Sequence, residues 1–413
     1  MQPKLVFVIN YFYPDYASTG QLMTELCESL TRDFSITVIA AQPGYSEGFE
    51  KKRSKLIEVE KWRNMKVIRL SLPKVNKKSK FSRLKYILQY FVLANFVLLK
   101  EKNVDLIYTI SQPPILGGLI GTMGKLLKRT KHVYNIQDFN PEQAAAVNYT
   151  GGIVHSMAKK VDILNCKYAD HIILVGNDMK ETLENRFNQS SVPMHTVINN
   201  WTNEEEIVPL EKSNVEVNRF IKEHSLEDKF IIMYSGNLGL YYDLENLIRI
   251  TSEFKDNDNI HFLFVGEGAS KSTMETYVAD NKIRNVTFLP YQSKEFIKYS
   301  LNAADAHLVV NQKGIKGVSV PSKIYGVMAA GKPILGVLEE GSEADTLIRT
   351  SESGFVSEPQ DYNSLVNHIN LLASMDFEAR KTMGLRGRKY LEQHLTKEKS
   401  LAKYKELLTQ LVK

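Results

Sequence analysis

Short apolar runs alternate with helical stretches along most of this chain, and that alternation leaves few ways to fold it. Leu5–Asn10, Ile36–Ala40, Val67–Leu70, Asp105–Ile110, His132–Ile136, His171–Val175 and His195–Ile198 read as buried strands. Helical patterns near residues 20–31, 82–100, 114–129, 152–168 and 177–187 separate them. A strand that is apolar on both sides needs cover on both faces, so the expected class is α/β with parallel sheets. A second series follows in Phe230–Tyr234, His261–Val265, Val286–Leu289, Ala306–Val310 and Ile334–Val337, with helices expected near 243–254, 270–281, 293–303, 322–330 and 361–374. Phe377 to Lys413 reads as helical and strongly charged. A chain of 413 residues is too long for one ordinary domain. The predicted division is residues 1–201, a polar connection at 202–228, and 229–391, with a last helix at about 392–413 returning to the first domain. Two Rossmann-like halves imply a cleft, where open α/β sheets take their ligands.

Composition narrows the class. Apolar residues make up 43% and charged residues 24%, which is globular rather than disordered. Cys27 and Cys166 are the two cysteines, both in apolar stretches, so a disulfide framework and a cysteine-rich metal site are excluded. The run Leu5–Ile9 lacks the length of a signal-peptide core, and the expected location is cytoplasmic. Net charge is +6, but from Lys61 to Lys100 there are eleven Lys or Arg and no Asp or Glu. This block ends in Tyr86–Leu99, which is apolar almost all round and as a helix spans about 21 Å, short of the roughly 30 Å hydrocarbon core. It is a buried or an interfacial helix. A nucleic-acid surface would need basic and aromatic residues on a recognised fold, and none is seen. A solvated basic face is one reading of the block. The preferred one is a patch for an anionic membrane surface, formed by Lys77, Lys78, Lys80, Arg83 and Lys85.

Several loops are candidates for chemistry. Pro321-Ser322-Lys323 opens a short helix that stops at Gly331, Pro333 prevents its resumption, and Ile334–Val337 follows as a strand. That arrangement puts backbone N–H groups and a lysine where an anion could sit. The first strand runs into small residues ending in Thr19-Gly20. This is not the dinucleotide fingerprint, so an NAD-dependent oxidoreductase is disfavoured. Ser235-Gly236-Asn237-Leu238-Gly239 and Val265-Gly266-Glu267-Gly268 are further tight βα turns, and Tyr291 follows a later strand. Asp138 and Glu142 stand at the end of the strand His132–Ile136, and a carboxylate there faces a ligand edge. No histidine pair has metal-ligand spacing, so neither a metal nor a cofactor is expected.

The combination Pro321-Ser322-Lys323-x-Tyr325, then Met328-Ala329-Ala330-Gly331-Lys332-Pro333, resembles the donor-binding segment of retaining family-4 glycosyltransferases, which have the two-domain GT-B fold. The resemblance covers nearly the whole chain. It is nearest to the branch of fucosyl- and N-acetylfucosaminyl-transferase-like enzymes of bacterial capsule, O-antigen and colanic-acid synthesis, with Tyr13-Pro14-Asp15…Ala17-Ser18-Thr19-Gly20-Gln21 and Gly236-Asn237-Leu238-Gly239 as shared segments. It implies a nucleotide-sugar donor, UDP-linked, held by Thr19, Gly20, Gly236, Asn237, Glu267, Tyr291, Pro321, Ser322, Lys323 and Tyr325. It implies Asp138 and Glu142 for acceptor contact or proton removal, and a lipid-linked glycan acceptor at the inner face of the membrane. Three positions depart from the common pattern. The family's Arg and Lys in the first donor loop are Asn237 and Tyr242 here, and its second Glu is Gly326. Lys323 is then the main side-chain cation left for a diphosphate. A GT-B nucleotide-sugar epimerase, which needs no acceptor, and a catalytically silent sugar-nucleotide-binding subunit stay open as alternatives.

Overall fold

The computed structural model describes residues 2–15, 17–43, 55–73, 80–147 and 152–413. The chain divides into two compact units, Met1–Asn199 with Ser400–Lys413, and Asn200–Lys399. Each is built on a twisted sheet with helical cover, the solution that apolar strands alternating with helices demand.

Unit 1 holds β1 (Lys4–Val8), β2 (Ser35–Ala41), β3 (Ile57–Trp62), β4 (Met65–Leu70), β5 (Leu106–Ile110), β6 (Lys131–Ile136), β7 (His171–Leu174) and β8 (His195–Val197). They form one sheet in the order β3-β4-β2-β1-β5-β6-β7-β8. All neighbours are parallel except β3, which pairs antiparallel with β4. The sequence reading missed β3. Its residues Ile-Glu-Val-Glu-Lys-Trp alternate rather than run apolar, as suits an edge strand with one solvated face. Tyr90, Ala94 and Leu98 of the Lys80–Lys100 helix pack on Val6, Val8, Ile39 and Ile68 of the sheet. The final helix, Lys397–Val412, is tied to this unit by a buried polar cluster. Asn135 donates its amide to the hydroxyls of Tyr108 (2.5 Å) and Tyr404 (2.8 Å), and accepts from the Gln137 amide at 2.9 Å.

Unit 2 holds β9 (Phe230–Ser235), β10 (Ile260–Val265), β11 (Val286–Leu289), β12 (Ala306–Val310), β13 (Ile334–Val337) and β14 (Gly354–Ser357). They form an all-parallel sheet ordered β11-β10-β9-β12-β13-β14. Strand order therefore reverses between β9 and β12, and the loops leaving those two strands border the position where such sheets bind ligands.

Residues 202–228 do not form a free connection. They contain a helix, Val215–Glu223, whose N-cap Asn214 accepts from the Glu216 and Val217 N–H groups. Val217, Phe220, Ile221 and Leu226 are buried in the unit 2 core, and Asn302 holds the strand-like stretch before them by bonds to Leu210 N and Val208 O. The polar letters of this segment are its solvated face. The helix expected over 243–254 is α-helical only at Leu244–Leu247 and tightens to 3-10 geometry over Ile248–Phe254. The helical tail is two helices, Phe377–His394 capped by Asp376 and then Lys397–Val412.

Candidate active site

Two glycine turns at the carboxyl edge of the unit 2 sheet are locked together backbone to backbone. Gly236 N–H donates to Val265 O, Leu238 N–H to Glu267 O and Ser270 N–H to Leu238 O, each at 2.9 Å. A Cβ on Gly266 would lie 1.9 Å from Gly236 O, and one on Gly268 would lie 2.1 Å from Leu238 O. No side chain fits at either place. Gly266 and Gly236 also sit at φ +146° and +144°, a region other residues rarely adopt. Tyr291 lies over this pair, with its ring 3.5 Å from the Gly266 Cβ position and its hydroxyl donating to Glu267 O at 3.2 Å. Half of the Tyr291 side chain is exposed. The exposed Glu267 carboxylate pairs with Lys271 at 2.7 Å, and Asn237 is exposed beside it.

Lys323 reaches into this framework from the start of the helix that follows β12. Its Nζ lies 3.6 Å from the Tyr234 ring centroid and 4.4 Å from that of Tyr242. The nitrogen is shut off from solvent and has no hydrogen-bond partner among the described residues. Beyond it is the face of Gly236, where a Cβ would come within 3.5 Å of Lys323 Cε. Tyr234 is fully buried and its hydroxyl donates to Asn237 O at 2.8 Å, which fixes the first ring. Burial drives the Lys323 ammonium well below the ordinary lysine range, and no anion offsets it. The two rings provide only their negative faces. Asp243, at the N-terminus of the Leu244–Leu247 helix, makes no cap bond. It accepts instead from the Tyr362 hydroxyl and, at 2.7 Å, from the Asn246 amide.

The loop between β12 and Lys323 is ordered by an anion that belongs to the protein. The N–H groups of Gly314, Ile315 and Lys316 converge on one Glu339 carboxylate oxygen at 2.9, 3.0 and 2.9 Å. Sequence reasoning missed Glu339 and the closing of Tyr234 and Tyr242 on Lys323, because contacts between distant loops leave no local motif. Pro321 and Ser322 lead into the seven-residue helix Lys323–Ala329, and Ser322 makes no side-chain cap bond. Tyr325 was expected at the ligand surface and is not there. It is 0% exposed, inside the core with Ile324 and Met328.

In unit 1, Thr19 and Gly20 lie in the first turn of the Ser18–Leu30 helix. Gly20 is buried where a Cβ would meet Tyr11 at 3.1 Å, so close packing accounts for it. The neighbouring turn is held by Arg69, whose guanidinium donates to Tyr13 O and, at 2.7 Å, to Glu60, while Trp62 stacks on Tyr13. Asp138 follows β6. Its N–H and that of Gln137 donate to the Ser111 hydroxyl at 3.2 and 3.1 Å, and its carboxylate accepts from Gln143 at 3.3 Å. Asp138 does not cap the next helix, whose N-cap is Phe139.

Glu142 is unsuited to proton removal. Both of its oxygens bond Arg186, at 3.1 and 2.6 Å, and Arg186 also pairs with the buried Asp162 at 2.7 Å. Burial pushes the Glu142 carboxyl up, but the Arg186 bonds and charge outweigh it, and the group ends below its ordinary value. Structure and charge are both committed to a core ion cluster.

Of the basic patch, Lys77 and Lys78 lie outside the described residues, and the Lys80 side chain does too. Arg83 and Lys85 are exposed on the Lys80–Lys100 helix. No helix among the described residues is long and apolar enough to cross a membrane.

Residues 216–390 match the family model described as Glycosyl transferases group 1. That match contains the glycine turns, the tyrosine pair and Lys323. The match takes in most of unit 2. The chain is 27% identical over 421 residues to WcaI of Escherichia coli K12, whose name places it in colanic acid biosynthesis, with 97% of this chain and 98% of the relative covered. It is also 27% identical over 339 residues to WbjE of Pseudomonas aeruginosa, named a probable glycosyltransferase, covering 80% of this chain and 81% of that one. The fold is GT-B. Sucrose-phosphate synthase of Thermosynechococcus elongatus superposes with a TM-score of 0.76 at 17% identity, covering 99% of both chains. Anabaena Alr3699/HepE, solved with UDP and glucose, gives 0.72 at 14% identity, covering 99% of this chain and 100% of that one.

Proposed function

We propose that this protein is a group 1 glycosyltransferase that moves a sugar from a UDP-linked donor, such as a 6-deoxy-amino sugar of the N-acetylfucosamine type, to a lipid-linked oligosaccharide in bacterial surface polysaccharide synthesis. One observation carries the donor assignment. A lysine nitrogen is sealed in a ring cage at the strand-order reversal, without an anion, and a buried charge without a partner is too costly to serve the fold alone. A donor diphosphate supplies the missing charge. Lys323 and the close backbone approach permitted by Gly236 would take the phosphates, with Asn237, Glu267 and Tyr291 toward ribose and base. The names of WcaI and WbjE, and the UDP bound by HepE, support this reading.

Catalysis then rests on placing the donor and stabilising the departing diphosphate electrostatically, with no metal required. Asp138 is the unit 1 carboxylate left for acceptor contact, since Glu142 is committed to Arg186. Retention at the anomeric carbon follows from the family resemblance, as does an acceptor presented at the inner membrane face.

The test is calorimetric titration with a panel of UDP- and GDP-sugars, followed by transfer to a short lipid-diphosphate sugar. We expect a UDP-sugar to bind and to be consumed only when acceptor is added. Lys323→Met should weaken that binding by about 10- to 100-fold, the worth of a charge-assisted hydrogen bond. Failure of every nucleotide sugar to bind, or full affinity in Lys323→Met, overturns the assignment. Conversion of the donor without acceptor would make the protein an epimerase instead.

A further inference from the structure

The Lys80–Lys100 helix is apolar on two opposite faces, and only one of them is used by the fold. Its inner face, with Tyr90, Ala94 and Leu98, is buried against the unit 1 sheet. Its outer face leaves Phe81 76% exposed, Val92 62%, Leu84 52% and Leu88 50%, and continues through Phe96 and Leu99. At about 100° per residue these six side chains fall within an arc of about 120°, and they run about 27 Å along the axis. Scattered exposed apolar residues need no explanation, but a continuous stripe of this length does.

Charge identifies what covers it. The helix contains no acidic residue, and the wider stretch Lys61–Lys100 contains none either. Lys85 is exposed within that arc near its start, and Lys100 closes it beside Leu99. At its far end Lys128 bonds Leu99 O and Glu101 O, at 3.2 and 2.6 Å. That contact brings up the end of the Leu116–Lys128 helix, with Leu126 and Leu127 exposed and Arg129 nearby, while Lys125 is paired with Asp170 at 2.9 Å. A second copy of the same face would oppose like charges. An apolar stripe that carries Lys85, ends in Lys100 and has no acidic residue fits an anionic bilayer, whose headgroups take the snorkelling cations while its acyl boundary takes the stripe.

We propose that this helix is a monotopic anchor, lying in the plane of an anionic bilayer with its outer stripe inserted and its inner face still in the core. The inference rests on the reading that the acceptor is lipid-borne, and it goes further than charge attraction. Insertion of apolar side chains is the main contribution, so attachment survives salt that screens headgroup attraction.

The experiment is sedimentation of the full chain with phosphatidylglycerol-containing vesicles, at about 0.1 M and about 1 M salt, where the screening length falls from roughly 10 to 3 Å. Binding should persist at the higher salt. The triple variant Leu84→Glu, Leu88→Glu, Val92→Glu should lower the partition by tenfold or more, as expected for losing ~25 cal/mol per Å² of inserted area. Lys85→Glu with Lys100→Glu should weaken binding chiefly at low salt. The variants replace exposed side chains, and unchanged nucleotide-sugar affinity and thermal unfolding would establish that they fold. Wild-type affinity in the triple variant, or complete loss of wild-type binding at high salt, overturns the proposal. So does a vesicle-free dimer that the triple variant dissolves. Vesicle binding that passes these tests in a chain that binds no nucleotide sugar would leave the anchor standing and remove the transferase reading.

Discussion

Arg186 in unit 1 and Lys323 in unit 2 are both cationic groups taken out of water, and they meet opposite surroundings. The Arg186 side chain is 1% exposed and lies between the carboxylates of Glu142 and Asp162, with its guanidinium carbon 4.2 Å from the Phe139 ring centroid. Burial acts to lower its pKa, but Asp162 and Glu142 outweigh that and hold it above the ordinary arginine range. Lys323 is subject to burial alone, and its pKa falls. A matched buried charge is part of the fold. An unmatched one has its proton affinity lowered by burial, and an arriving anion raises it again.

The largest expected effect tests this contrast directly. Arg186→Met should cost about 3–5 kcal/mol of stability by leaving two carboxylates without their cation, read from urea unfolding. Lys323→Met removes no bond and should leave stability within about 1 kcal/mol of wild type, while donor binding weakens by about 10- to 100-fold. Equal destabilisation by the two would break the comparison. The pH dependences should differ as well. Glu142 has a lowered folded value, so its contribution is full above the ordinary carboxylate value of 4.5 and is lost as pH falls through the folded one. For Lys323 the unfolded chain keeps its proton to higher pH, so stability rises as pH climbs from the lowered folded value toward 10.5.

The same contrast separates what was legible in the sequence from what was not. Apolar periodicity reveals strands covered on both faces, so the parallel core of both sheets was readable. It fails at β3, whose Glu58, Glu60 and Lys61 alternate with apolar residues, and at the Val215–Glu223 helix, whose buried Val217, Phe220 and Ile221 sit among polar neighbours. Motifs in one loop were legible too. Lys323 and the glycine turns stand where the local pattern suggested. Partnerships across the fold were not. Nothing near Glu142 in sequence announces Arg186, 44 positions later, and nothing near Lys323 announces Tyr234. Tyr325 shows the reverse error, because a residue inside a recognisable segment can still face the core.

A smaller effect sharpens the account of Lys323. If its proton is released in the empty site and needed in the occupied one, donor binding takes up a proton. Titration of UDP in two buffers of different ionisation enthalpy, in mildly alkaline solution, should show uptake of up to one proton, with affinity declining as pH rises. Lys323→Met should show none. Pairs of heats that agree between buffers for the wild type would mean that Lys323 is already charged in the empty cage.

The smallest effect concerns the cage itself. A ring face stabilises the ammonium form and not the neutral amine, so removing a ring should lower the proton affinity of Lys323 further. Tyr242→Leu should weaken UDP binding by about 2- to 30-fold, equivalent to a cation–π contact of roughly 0.5–2 kcal/mol. It should also shift the pH at which affinity declines to a lower value. Tyr242→Phe keeps the ring and should keep both. A merely structural Tyr242 would lower stability in the Leu variant without moving that pH. Loss in the Phe variant as large as in the Leu variant would assign the effect to the hydroxyl, and Lys323 would then be positioned by a hydrogen-bonded tyrosine rather than by the face of its ring.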